Sequence, residues 1–165
     1  MNPIASAGIL IGVLCTVWMY VMGFTGWYID PTLAWAFFLV IPIEIVGLIW
    51  GLRRTAAEGR TYGSQVVAGT LMAVVAGVII VAASLVFTTV AFPNYFRDLA
   101  ARQREMLEIQ GLPQAEIEEL VRATTDTTPM AQAMTGFIGT LITGIVASAV
   151  IAIWVRAKGP AIRSA

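Results

Sequence analysis

Residues 65–92 read QVVAGTLMAVVAGVIIVAASLVFTTVAF and contain no Asp, Glu, Lys or Arg. At about 1.5 Å per residue, roughly 20 apolar residues carry a helix across the ~30 Å hydrocarbon core of a bilayer. This stretch exceeds that length, so it is predicted to cross the membrane with some tilt or to project past the headgroups. Working outward, three more segments meet the same criterion. Residues 4–27 carry no ionisable group except the Cys15 thiol, and residues 32–52 carry one charge, Glu44. Residues 129–155 begin where Thr128 can cap a helix and Pro129 can fill its first position. The first segment lacks a basic leader and a small-residue cleavage pattern, so it reads as a permanent span rather than a signal peptide. The expected fold is an all-α membrane protein, one membrane domain over residues 1–165, with four transmembrane helices.

The composition agrees and narrows the function. The chain has 165 residues, 58% hydrophobic and 12% charged, where a soluble domain carries about 25% charge. Its mean hydropathy is +0.82. Ten Lys/Arg balance ten Asp/Glu, and no basic stretch is dense enough to neutralise a phosphate backbone, which argues against nucleic acid as a partner. The chain has no His and one Cys. That removes the commonest metal and haem ligand, the commonest acid/base side chain and any disulfide within the chain. No cofactor and no enzymatic activity are expected.

Basic residues set the orientation. With four spans, Arg53, Arg54, Arg60, Arg156, Lys158 and Arg163 fall on one side, against Arg97, Arg102, Arg104 and Arg122 on the other. Three Arg crowd into residues 53–60, next to span ends, where the positive-inside rule acts most strongly. Both termini are therefore expected in the cytoplasm. Aromatic residues repeat the assignment, with Trp27, Tyr28, Trp35, Phe92, Tyr95 and Phe96 at the outer interface and Trp50, Tyr62 and Trp154 at the inner one.

Residues 94–127 are the one aqueous piece of any size. Phe96, Leu99, Gln103, Met106, Leu107 and Gln110 recur at helical spacing, which predicts an amphipathic helix ending at Gly111. A second, shorter helix follows from Pro113, with acids in its first turns and an apolar stripe of Ile117, Leu120 and Val121. Residues 124–128 read as a linker. Arg102, Glu105, Glu116, Glu118 and Glu119 could form a docking surface; the plainer reading is a helical hairpin resting on the membrane or on the bundle's mouth.

Glu44 is the sharpest single residue. A carboxylate about nine residues from the Arg53 boundary lies deep in hydrocarbon, so it must be neutral, paired or wet. Pro42 is expected to kink this span and free polar backbone. One reading makes Glu44 a proton or cation site in a transport path. The other makes it a protonated acid that hydrogen-bonds Ser84, Thr88, Thr16 or a carbonyl and fixes helix register.

Small residues recur every fourth position. Gly8 and Gly12 share a face in the first span, Gly47 and Gly51 in the second, and Gly69, Ala73 and Gly77 in the third. Gly136, Thr140, Gly144, Ser148 and Ala152 form the longest run, in the fourth. These are close-packing seams of the kind that let helix backbones approach in lipid.

In this order of features the chain resembles an uncharacterised family of four-span bacterial inner-membrane proteins, a domain of unknown function common in Bacteroidetes. The resemblance rests on Gly51-Leu52-Arg53-Arg54 ending the second span, Tyr62-Gly63-Ser64 opening the third, Pro93 closing it, and the run from Met106 to Glu119. Leu112-Pro113 stands where a Ser or Thr cap is usual. The resemblance implies fold and location, and no catalytic residue comes with it. The expected function is therefore non-catalytic: a structural or accessory subunit within a larger membrane complex, a respiratory or photosynthetic host being one option, or a homo-oligomer, with lipid around it. The alternative is a small oligomeric transporter or channel using Glu44.

Overall fold

A computed structural model of the protein describes residues 2–155. Arg156, Lys158 and Arg163 of the basic count lie outside the described residues. Four helical stretches are long and apolar enough to cross a membrane: Pro3–Thr25, Ala34–Ala56, Tyr62–Ala91 and Pro129–Val155.

The helix ends follow local chemistry. In α1 (Pro3–Thr25) the Asn2 side chain accepts the Ile4 N–H at 3.0 Å, Pro3 supplies the pre-set first turn, and Gly26 stops the helix with a left-handed φ of 72°. At the start of α6 (Pro129–Val155) the Thr128 hydroxyl accepts the Ala131 N–H at 3.1 Å, so this cap forms as the sequence implies.

Two spans depart from regular α-helix. The second begins as a 3-10 helix, Ala34–Leu39, before α2 (Val40–Ala56). Pro42 explains the change, because its ring would meet the carbonyl four residues back, that of Phe38, if the α pattern continued through it. The tightened turn is anchored to α1, where the Trp18 indole N–H donates to the Ala36 carbonyl at 2.9 Å. The expected kink is thus a change of helix type. The third span runs as α3 (Tyr62–Val86) and then widens into a π-helical turn, Phe87–Ala91, in which the Phe92 N–H reaches the Phe87 carbonyl at 2.7 Å.

Within the bundle α3 packs against both α1 and α6, and α2 packs against the same two helices, leaving α1 and α6 across the diagonal. Small residues make the contacts close. A Cβ at Gly8 would stand 2.7 Å from the Met72 carbonyl oxygen, and one at Gly12 would stand 3.0 Å from that of Ala76, so α1 lies on the backbone of α3. Gly47 receives Ile11, Gly51 receives Ala7 and Met72, Gly77 receives the Phe137 ring, and Gly69 receives Ser148. Large apolar side chains point outward instead: Val17, Val46, Val78 and Val146 are all more than half exposed. Small inside and bulky outside is the pattern for a solvent of lipid tails, where burying a Leu brings no transfer gain and close backbone packing does the work.

One half of the bundle is filled. Ile11, Leu48, Leu52 and Met72 are fully buried there, beside the end that carries residues 53–60. The same half holds a polar clasp: the fully buried Gln65 donates from Nε2 to the carbonyls of Leu52 at 3.1 Å and Val155 at 3.3 Å, and the Thr55 hydroxyl lies 2.6 Å from its Oε1. Three spans are tied at one level by side chains that the sequence reading assigned to a span boundary.

At the other end α4 (Tyr95–Ile109) and α5 (Gln114–Thr125) form a hairpin turning at Gly111, whose φ is 74°. α5 runs to Thr125, into the expected linker. The two helices pack on each other, burying Ala100 and Ile117, with the Thr124 hydroxyl 2.5 Å from Gln103 Oε1. The hairpin therefore buries part of its stripe, leaves Met106 and Leu120 exposed, and meets the bundle near its root, where Tyr28 donates to Asp98 at 3.3 Å and stacks on Tyr95.

Candidate functional site

The half of the bundle facing the hairpin is not filled. The reason lies in the side chains: from Thr135 to Thr143 the inward positions of α6 are Gly136, Gly139, Thr140 and Thr143, and α3 offers Ser84 opposite. These are too small to meet Cys15 and Met19 of α1 across the diagonal. A partly enclosed cavity of about 490 Å³ results, bounded by all four spans. That volume lies within the ≈ 300–1,000 Å³ of small-molecule sites.

Glu44 stands in its wall. The residue is 4% exposed, and Oε1 is fully buried with no hydrogen-bond partner among the described residues. The register-fixing alternative is not what the structure contains. Thr88, one proposed partner, donates to the Ser84 carbonyl of its own helix at 2.9 Å, and the Thr16 hydroxyl is itself unpartnered. The carboxyl reaches towards α6 because Gly144 has no side chain: a Cβ there would come 3.1 Å from Oε1 and also collide with Ala73. Gly144 thus admits both the close approach of α3 and the acid of α2.

The chemistry of the wall is one carboxylate among apolar groups, hydroxyls, the Cys15 thiol and the Gln132 amide. Among the described residues no Lys or Arg lines the cavity, and Glu44 is its one carboxyl. Hydroxyls of Thr16, Ser84, Thr140 and Thr143 surround a largely hydrocarbon interior. Towards the hairpin the wall is aromatic. Phe87, at the end of α3, packs at 4.5 Å between centroids on Phe92, which the π turn brings back to it, and at 5.4 Å on Tyr95. Tyr28 and Tyr95 lie outside the spans, at this end of the cavity. Burial raises both phenols above their ordinary value, and for Tyr28 the Asp98 carboxylate adds to the effect, so both stay uncharged donors. The aromatic residues expected as a membrane belt therefore build, in part, a cluster at the cavity's end.

The packing glycines divide in two. Gly8, Gly12, Gly47, Gly51, Gly69, Gly77 and Gly144 all meet neighbours closely. Gly136 does not: a Cβ there would meet only Ile80 Cγ2, at 3.9 Å. The seam expected along the whole of α6 is close at Gly144 and Ser148 and opens into the cavity at Gly136, because Ile80 stops short of the α6 backbone. Ser148 is fully buried and its hydroxyl has no partner.

On the hairpin, Arg102 pairs with Glu105 on its own helix, so these two charges answer each other. Glu116, Glu118 and Glu119 are exposed. Arg53 and Arg54 are exposed at the far end, with the Arg54 guanidinium 4.0 Å over the Trp50 ring, and Arg60 pairs with Glu58 at 3.1 Å. Among the described residues no group of three or more His, Cys, Asp or Glu could hold a metal ion. Sequence reasoning found Glu44 and missed the cavity, Gln65 and Thr55. The four small inward residues of α6 were the available signal, and they read equally well as packing.

No curated protein and no solved structure matches the chain. A family profile described as "Protein of unknown function (DUF4199)" matches residues 6–157, most of the chain and all four spans up to their last residues, and the protein belongs to that family.

Proposed function

We propose that this is a multi-pass membrane protein of the bacterial cytoplasmic membrane that binds a cation at Glu44 and passes it through the bundle. The carrying observation is a carboxyl oxygen buried without a partner in the wall of a cavity bounded by all four spans. A buried polar group left unpaired costs about 1–3 kcal/mol, a cost recovered when a ligand supplies the partner. All four spans of one chain contribute to the cavity wall. The basic cluster at residues 53–60 supports an orientation with that loop in the cytoplasm and the cavity towards the outer side.

An accessory-subunit role has a separate support. The hairpin leaves Met106 and Leu120 of its stripe, together with Glu116, Glu118 and Glu119, exposed on a projecting element. Reversing those three charges should release a docked partner during purification, and undiminished co-purification would discard this role.

The transport reading is tested in proteoliposomes containing a pH-sensitive dye. Wild type should carry a saturable, cation-driven proton flux that Glu44→Gln abolishes. Equal flux in the two proteins overturns it.

A further inference from the structure

We infer that the cavity's ligand is a monovalent organic cation with an apolar, aromatic-sized body, rather than a bare proton or an inorganic ion. The inference rests on Glu44 as the binding carboxylate and adds the class of ligand. Three features of the wall carry it. Among the described residues the site offers one carboxylate and no compensating Lys or Arg, so a single positive charge neutralises it. Its volume of about 490 Å³ greatly exceeds what a proton or dehydrated ion occupies, and hard cations need six or more oxygen ligands close together, which a single carboxylate with scattered hydroxyls in a hydrocarbon wall does not furnish. Most of the remaining surface is hydrocarbon and aromatic: Phe37 and Phe38 come from the 3-10 segment, Phe87 from the end of α3, and Tyr28 and Tyr95 from the hairpin end, with Gln132 and threonine hydroxyls as uncharged polar groups. Aromatic rings attract cations through their quadrupole and bury the apolar body of an organic one. The hydroxyls of Thr16, Ser84 and Thr140 can solvate an ammonium or phosphonium edge without adding charge.

One irregular helical segment has a function in this reading. Regular α-helix at Ala34–Leu39 would rotate Phe37 and Phe38 to other positions on the helix. The 3-10 turns set these rings in the cavity wall towards the hairpin, where Phe87, held by the regular ladder of α3, lines the same end.

The experiment is isothermal titration of the full-length protein in a mild detergent with tetraphenylphosphonium, using tetraphenylborate as an anion of the same shape. Saturable binding of the cation at one site per chain is expected, with no saturable binding of the anion. Glu44→Gln, nearly isosteric, should weaken the cation by at least about tenfold, as loss of a charge partner in a dry site does. Gly136→Leu provides a second variant that leaves the carboxylate in place. A Cβ there meets only Ile80 at 3.9 Å, so the side chain has room to grow into the cavity and should block binding while the protein stays folded. Equal binding of cation and anion, or undiminished cation binding in both variants, overturns the inference. So does saturable Glu44-dependent binding of sodium or potassium ions in the absence of tetraphenylphosphonium binding. The transport reading fails separately: Glu44-dependent binding of the organic cation without Glu44-dependent flux keeps the ligand class and removes transport, whereas Glu44-dependent proton flux without organic-cation binding does the reverse.

Discussion

Three buried polar side chains, Glu44, Gln65 and Ser148, differ in whether they find a partner, and that difference decides what each should do when altered. Gln65 satisfies its amide through Leu52, Val155 and Thr55 at 2.6–3.3 Å. Gln65→Leu removes the donor to the Leu52 and Val155 carbonyls, while the Thr55 hydroxyl keeps its bond to the Leu52 carbonyl at 3.1 Å, and we expect a loss of about 1–3 kcal/mol, towards the lower end because polar contacts in membranes are individually modest. Reversible denaturation in mixed micelles measures it. Ser148 has no partner to lose, so Ser148→Ala should stay within about 0.5 kcal/mol of wild type or stabilise the protein. A large loss in that variant would mean the hydroxyl has a partner in the membrane. Glu44 was legible in the sequence because a charge among apolar residues is visible by itself. Gln65 was not, because an uncharged amide at a span boundary looks the same whether it faces headgroups or three neighbouring helices.

Helix lengths and their caps follow from local residues: Pro3 after Asn2, Gly26, Pro129 after Thr128, and Gly111 mark ends that the structure keeps. Removing the cap by Thr128→Ala should cost about 1 kcal/mol and fray the start of α6, read as faster hydrogen exchange of the first-turn amides; unchanged exchange would show the cap idle. The close approach of α1 to α3 also belongs to this scale. A side chain at Gly8 would press on the Met72 carbonyl oxygen and on Val75, and backbone cannot step aside as a flexible side chain can. Gly8→Val should therefore destabilise by about 1–3 kcal/mol, visible as a lower thermal midpoint in detergent, while Gly63→Val, with nothing within 4 Å of its Cβ, serves as the tolerant control. The hairpin shows the limit of reading single elements. Each helix displayed an apolar stripe suited to a membrane or a bundle, and the stripes proved complementary only in part, with Ile117 fully buried in the hairpin and Met106 and Leu120 left exposed.

Across the whole molecule the division into a filled half and a hollow half organises everything else. Large side chains close the half next to residues 53–60, and small ones leave the half next to the hairpin open, with Glu44 near the transition. The side of the membrane each half faces can be tested with single cysteines in a Cys15→Ser background. A cysteine at exposed Ala57 should react with a membrane-impermeant maleimide only after the cells are opened, and one at exposed Ala115 should react in intact cells. The reverse pattern would invert the orientation and turn the cavity towards the cytoplasm. The sequence by itself determined the four spans, their ends and the isolated acid, because apolar length, capping residues and a charge in hydrocarbon act through neighbours along the chain. Only the tertiary structure decided that Gly144 packs while Gly136 opens, that Gln65 ties three spans, and that Glu44 is left without a partner. Those outcomes depend on which side chain arrives from another helix, and a stripe of small residues is equally compatible with a contact and with a gap.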